Sequence, residues 1–162
     1  MMRAIIKKLP QVGLWRENRP IPEIGDSEVL IKTRKTSICG TDLHIYHWDA
    51  WASKTLPIPL VVGHEFMGEI AAVGKNVTGL EIGTRVSGEG HIVCGQCDPC
   101  KMEKRHLCLN TRGIGVHLHG CFADYFPLPA QNVFPLPSFI SDNIGTILDP
   151  FGNATHAALS FD

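Results

Sequence analysis

Apolar residues run along this chain in short stretches broken by polar and turn-forming positions, a pattern that predicts strands more often than helices. Residues 2 to 8 and 12 to 16 read as two short opening strands, followed by a turn-rich stretch from Asn18 to Ser27 with Pro20, Pro22 and Gly25. A clearer strand spans Glu28 to Thr36. The segment Val61 to Val73 is rich in strand formers, interrupted by Gly63 and Gly68. Gly74, Gly79 and Gly83 then mark turns before a strand around Thr84 to Ser87. Two more short strands are expected near Phe122 to Leu128 and Val133 to Leu136. Helical signals are few. One is a short helix over Thr41 to Trp48. The other is a capped entry at Ser141-Asp142, whose segment must stop, kink or restart at Pro150 before continuing from Asn153 to Phe161.

Glycine (16) and proline (11) are frequent among the 162 residues, and many short strands with such punctuation favour a mainly β, compact barrel-like domain over a bundle. A chain of this length buries about 70% of the surface its unfolded form exposes, so it needs no disulfides to hold a core. The formal net charge of -1 and 19% charged residues provide no polyanion-binding surface, so nucleic acid is not an expected partner. No window reaches about 18 uninterrupted apolar positions and the first residues carry no secretory pattern, which predicts a soluble, cytoplasmic protein with no membrane partner. The chain stops at Asp162, directly after the apolar stretch Ala157 to Phe161, as expected of a truncated domain whose next element is missing.

The cysteines change the picture most. Cys94, Cys97, Cys100 and Cys108 form a C-x2-C-x2-C-x7-C run, and four thiolates this close in sequence can reach one tetrahedral ion without help from the rest of the fold. Zinc is the expected metal, and a site closed by four thiolates has no position left for water or substrate, so its role is structural. The competing readings are disulfides, an iron-sulfur cluster and spectator thiols. Lys101, Lys104, Arg105 and Lys35 read as a solvated surface that also offsets thiolate charge.

A second donor set is dispersed: Cys39, His64 and Glu65, with Asp149 in an otherwise apolar run as a candidate carboxylate. Such a mixed set suits an open, catalytic zinc that keeps one position for water or substrate. Taken singly, a lone Cys reads equally as a small buried residue, a lone His as a satisfied polar group, and Asp149 as a helix cap. Cys121 reads as a buried small residue. Trp48 and Trp51 could line a cleft or pack in a surface loop, and His117 and His119 lack a third donor for a further metal.

Four motifs in order carry a resemblance: Ile38-Cys39-Gly40-Thr41-Asp42-Leu43-His44, Val62-Gly63-His64-Glu65-Phe66-Met67-Gly68-Glu69, Gly83-Thr84-Arg85-Val86 and the four-cysteine run. Together they are similar to the zinc-dependent medium-chain alcohol dehydrogenases. Lys35 to Tyr46, Ser87-Gly88-Glu89-Gly90-His91 and Asp149-Pro150-Phe151-Gly152-Asn153-Ala154 resemble the L-threonine 3-dehydrogenase branch of that superfamily.

This resemblance implies a GroES-like β-barrel catalytic domain over residues 1–162, with a protruding structural zinc lobe at 94–108 and, from about 141, the start of a helical connection to an NAD-binding Rossmann domain. That second domain is absent, since neither Gly113-Ile114-Gly115 nor Gly88-Glu89-Gly90 completes G-x-G-x-x-G. It implies two zinc ions per chain, with Cys39, His64, Asp149 and an exchangeable Glu65 at the catalytic ion. The implied chemistry is oxidation of the C3 hydroxyl of L-threonine to 2-amino-3-oxobutanoate with NAD. Its proton leaves through Thr41 and His44, and His91 sits beside the substrate. The longer protein is expected to be a homo-oligomer, with a tetramer the usual form, and this chain alone to be inactive. The alternatives are a sorbitol- or butanediol-type zinc dehydrogenase domain and a non-catalytic zinc-binding fragment.

Overall fold

In β3 (Glu28–Ser37), Val29 and Ile31 point inward while Lys32 faces solvent, the period-2 pattern of a strand with one buried face. This strand lies at the heart of the domain in the computed structural model, which describes residues 1–161; Asp162, the last residue of the expected connection, lies outside the described residues. β3 pairs antiparallel with β5 (Glu65–Val73) on one side and with β9 (Tyr125–Pro129) on the other. β6 (Arg85–Gly88) and β10 (Val133–Pro135) complete a five-stranded sheet of order β10-β6-β5-β3-β9. A second sheet has β1 (Met2–Lys7) between β2 (Trp15–Arg19) and β4 (Leu60–Val61).

The stretch 122–124 joins the two sheets. Ile5 N donates to Phe122 O (2.8 Å) and Asp124 N to Arg3 O (3.0 Å), while Thr33 N donates to Asp124 O (3.0 Å). One segment thus continues the ladder from β1 to β3 and curves the wall into the expected barrel-like form. The largest core cluster fills its inside. Val29, Ile31, Phe66, Ile70, Phe126 and Leu128 are among its members, with the rings of Phe66 and Phe126 edge to face at 4.7 Å. Cys121 is fully buried there, as its small-residue reading requires.

Several details go beyond or differ from the sequence expectation. The strand expected over 12 to 16 begins only at Trp15, because Gly13 takes φ +119° and donates its N–H to Tyr46 O, turning the chain before pairing starts. After α1 (Gly40–His47), an unanticipated helix α2 (Ala50–Thr55) is started by Asp49, whose Oδ1 accepts from Trp51 N and Ala52 N. The helix entered at Ser141 ends at Gly145 and a second begins at Leu148, the restart among the expected alternatives, though it comes two residues before Pro150. Pro150 is the third residue of the long C-terminal helix (Leu148–Leu159), in the first turn, where a backbone N–H has no intrahelical partner to lose. With α3 (Asp98–Lys101) and α4 (Asp142–Gly145) before it, this helix is α5. Among the described residues no helix is long and apolar enough to cross a membrane.

Lys7 fixes where α1 sits. It is fully buried with no carboxylate partner among the described residues, and its ammonium donates to Gln11 O (2.5 Å), Gly13 O (3.1 Å) and Tyr46 O (3.2 Å), with the Trp48 ring centroid 5.1 Å away. Burial lowers its pKa. This cage ties β1 to the last turn of α1, the helix whose first turn faces the cleft.

Candidate metal centres and the cleft between them

The four-cysteine run folds as an excursion between two short strands that pair with each other, β7 (His91–Ile92) and β8 (Arg112–Gly113). The Sγ atoms of Cys94, Cys97, Cys100 and Cys108 all lie within 4.8 Å of one another, with 3.6 Å between Cys108 and Cys94 and 3.9 Å between Cys97 and Cys108. A zinc ion with Zn–S bonds of 2.3 Å sets the edge of its sulfur tetrahedron at about 3.8 Å, so the donor set fits it. Backbone N–H groups of Gln96 and Cys97, with the Asn110 side chain, lower the Cys94 thiol to about 6. Burial, with the Cys97 and Cys108 side chains, raises Cys100 to about 12. All six cysteines are free. Lys35 does not belong to this lobe: its ammonium holds Asn143 Oδ1 on α4.

Elements far apart in sequence build the second donor set. The β3–β5 ladder pairs Ser37 with Glu65 at its end, which brings Cys39 across from the start of β5. Adjacent residues on a regular strand face opposite ways, so His64 and Glu65 can share a site only if the backbone turns between them. It does. His64 precedes β5, and Gly63 takes φ +88° with the Phe122 ring packed where a Cβ would stand, 2.1 Å away. As a result Cys39, His64 and Glu65 present donor atoms within 4.8 Å of one another. Glu65 is 5% exposed.

A buried carboxylate supports both ends of this set. Asp42 Oδ2 accepts from Cys39 N (3.0 Å) at the start of α1. Among the described residues, Asp42 Oδ1 and His64 Nδ1 are buried without a hydrogen-bond partner, and they lie 4.0 Å apart. An ion on His64 Nε2 would leave Nδ1–H facing that carboxylate, the support that metal-bound histidines commonly have, so the orphaned pair fits a metal at this site. Burial pushes the Asp42 carboxyl up, against the Cys39 N–H, which lowers it.

Both sides meet in a cleft of about 270 Å³ lined by Cys39, Thr41, His64 and Glu65 on one side and by His91 and Asp149 on the other. Asp149 stands in the first turn of α5 and caps nothing; the cap position is Ile147. Its carboxylate groups with Glu89 and His91, donor atoms within 4.8 Å of one another, while Cys39, His64 and Glu65 form their own cluster. Sequence reasoning gave Glu89 no role; its signal was a carboxylate two residues before a cleft histidine. Glu89 Oε1 pairs with His91 Nδ1 (2.6 Å), which raises the His91 pKa and lowers that of Glu89. Burial, then the nearby Glu89 charge, raises Asp149.

The sequence profile described as "Alcohol dehydrogenase GroES-like domain" matches residues 25–138. The chain belongs to that family. L-threonine 3-dehydrogenase of Protochlamydia amoebophila (strain UWE25) is 62% identical over 162 residues, covering 99% of this chain and 47% of that protein. The L-threonine 3-dehydrogenase of Rhizobium etli (strain CFN 42) is 57% identical, with 47% of its length covered. Galactitol-1-phosphate dehydrogenase of Escherichia coli superposes with a TM-score of 0.87 at 29% identity, over 96% of this chain and 44% of that one. The short chain alcohol dehydrogenase of Escherichia coli CFT073, crystallised with NADH, gives 0.86 at 34%, over 96% and 44%. This GroES-like chain therefore spans about half the length of the curated relatives it matches.

The remaining candidates find other places in the GroES-like domain. Thr41 Oγ1 lies 3.7 Å from Cys39 Sγ, and His44, one turn further along α1, pairs Nδ1 with Asp49 Oδ2 (2.5 Å) at the surface. His117 Nδ1 accepts from Gly113 N and His119 Nδ1 from Val61 N, so each is used as a backbone acceptor. Trp48 packs beside the cluster of Ile45, Leu56 and Val62, and Trp51 stands exposed edge-on to His44; neither lines the cleft.

Proposed function

We propose that this domain is the metal-bearing, substrate-binding part of an L-threonine 3-dehydrogenase, which oxidises the C3 hydroxyl of L-threonine to 2-amino-3-oxobutanoate with NAD as acceptor. The supporting observation is the convergence of Cys39, His64 and Glu65 in one cleft opposite His91 and Asp149, in a chain 62% identical to an L-threonine 3-dehydrogenase. In this reading Cys94, Cys97, Cys100 and Cys108 hold a structural zinc, and Cys39, His64 and Glu65 hold a catalytic one, with Asp149 facing the same space as an alternative carboxylate donor. Zinc bound there supplies a Lewis acid for an alcohol oxygen.

The chain's own groups do the rest. Thr41 lines the cleft beside Cys39, where its hydroxyl takes the alcohol proton and passes its own toward His44. His44 is 61% exposed and anchored through Nδ1 on Asp49, so the proton emerges at the protein surface. His91 and Asp149 face the bound substrate from the opposite wall. Among the described residues neither glycine pair stands at a strand-to-helix turn that would fit a dinucleotide: Gly88-Glu89-Gly90 leads from the end of β6 to β7, and Gly113-Ile114-Gly115 starts at the last residue of β8. No hydride step is assigned to this chain.

Elemental analysis of chelator-free protein tests the assignment. The expected result is two zinc ions per chain, falling to one in the Cys39→Ala, His64→Ala double variant; one ion in both would overturn the catalytic site. Calorimetric titration of the zinc-loaded chain with L-threonine, sorbitol and 2,3-butanediol separates the substrate classes. Heat with threonine alone supports the proposal, and preference for either polyol replaces it with a sorbitol- or butanediol-type domain.

A further inference from the structure

The crossing from β6 to β7 reads Gly88-Glu89-Gly90-His91, two glycines and no apolar side chain to anchor it. Hydrogen bonds must therefore decide where His91 points. Asn132, 6% exposed and immediately before β10, supplies them. Its Nδ2 donates to Glu89 O (2.9 Å) and to His91 O (3.0 Å), and its own carbonyl accepts from Glu89 N (2.9 Å). The approach is close enough that a Cβ on Gly88 would stand 2.5 Å from Asn132 O. Within the crossing, Glu89 Oε1 accepts from His91 N (2.7 Å) and meets His91 Nδ1 at 2.6 Å. A carboxylate can only accept, so Nδ1 carries the hydrogen in that contact, and Nε2 is the ring nitrogen left for the cleft that His91 lines.

We infer that Glu89 and Asn132 are a positioning pair for His91: Asn132 fixes the crossing, Glu89 holds the imidazole in its Nδ1–H tautomer, and Nε2 is thereby presented to the polar groups of the substrate. The inference rests on the reading of His91 as a substrate-facing group. It assigns a task to a buried asparagine 41 residues from the histidine it serves. A purely structural role, closing the crossing and nothing more, would require the backbone bonds but would leave the tautomer free.

Nitrogen-15 NMR of the histidine rings in the zinc-loaded chain, without substrate, reads this directly. Spectra recorded at about pH 9, where an ordinary imidazole is neutral, are expected to show His91 with a protonated Nδ1 and an unprotonated Nε2. In Glu89→Ala the separation between the two His91 nitrogen shifts should collapse toward a tautomer average, while the His119 signals stay in place. Glu89→Gln, which keeps an acceptor oxygen without the charge, should retain the parental pattern. Asn132→Ala should move His91 in the same direction as Glu89→Ala. An Nε2–H tautomer in the parent, or a parental pattern surviving in Glu89→Ala, would overturn the inference. If Asn132→Ala does not fold, the two Glu89 variants decide. Because no substrate is present, the tautomer and the threonine reading can fail independently.

Discussion

The four-cysteine lobe and the cleft use similar donors but are built in opposite ways. In the lobe, donors at neighbouring positions of one short segment converge, and α3, a single turn of helix, is the main regular structure between them. In the cleft, donors from the segments that follow β3 and open β5 converge because a sheet, a bent backbone at Gly63 and a buried carboxylate place them, and the first turn of α5 faces them across the space. A lobe built this way is expected to need a bound ion to define it, whereas the cleft is positioned by the surrounding fold with or without one. A site with few buried apolar contacts draws its order from the metal, and that binding free energy is on the order of 10 kcal/mol or more.

The largest expected effect follows from that contrast. Stripping metal with a strong chelator should abolish hydrogen-exchange protection across residues 94–111 while β3 and β5 keep theirs, as measured amide by amide. Equal loss in both regions would mean that the barrel, too, is held by metal. Next comes Asp42→Ala, which removes the Cys39 N–H acceptor and the carboxylate facing His64. It should weaken metal binding in the cleft roughly 10- to 100-fold by competition with a chromophoric chelator, leave the lobe's affinity unchanged, and cost about 1 kcal/mol in urea unfolding through the lost helix start.

The smallest effect concerns acid. His119 accepts from Val61 N in the strand that leads to Gly63 and His64, and burial, with Arg19 as a lesser cause, lowers its pKa below the ordinary 6.5. The folded state thus binds fewer protons than the unfolded one. The stabilisation is complete above about pH 6.5 and is lost as pH falls from there through the lower folded value. Amide exchange at Val61, corrected for intrinsic rate, should accelerate between about pH 7.5 and 5.5. In His119→Asn, whose amide oxygen can also accept, that acid sensitivity should disappear.

The two regions also differ in how far their sequence could be read. The lobe was legible because its information is local: spacing alone brings four sulfurs together. The strands were legible from short runs between glycines, and the helix entry at Ser141 from its cap, whose Oγ accepts from Ile144 N. What escaped is set by tertiary partners. The unexpected start of β2 depends on a Gly13 N–H held by Tyr46 O, and Pro150 is harmless only because α5 begins two residues before it. At the cleft, the residue types at Cys39, His64 and Glu65 were readable, but their convergence was expected only through the family resemblance and not from spacing, since it depends on the ladder between Ser37 and Glu65 and on the sign of one φ angle. Asn132 was invisible for the same reason, since its bonds to Glu89 and His91 form only once β10 has paired with β6, whereas Glu89 had a local signal two residues before His91.

The pairing of His91 with Gly113 and of Ile92 with Arg112 gives the lobe the anatomy of a cassette. Its two ends are held one strand spacing apart, about 4.8 Å, whatever lies between them. Lengthening or shortening the 93–111 excursion then changes the closure entropy only logarithmically, by about 0.6 kcal/mol for each doubling, and leaves the barrel's connectivity untouched. The same hairpin neck could carry a short turn in place of the lobe, or accept this lobe as a transplant, with His91 remaining at its post beside the cleft.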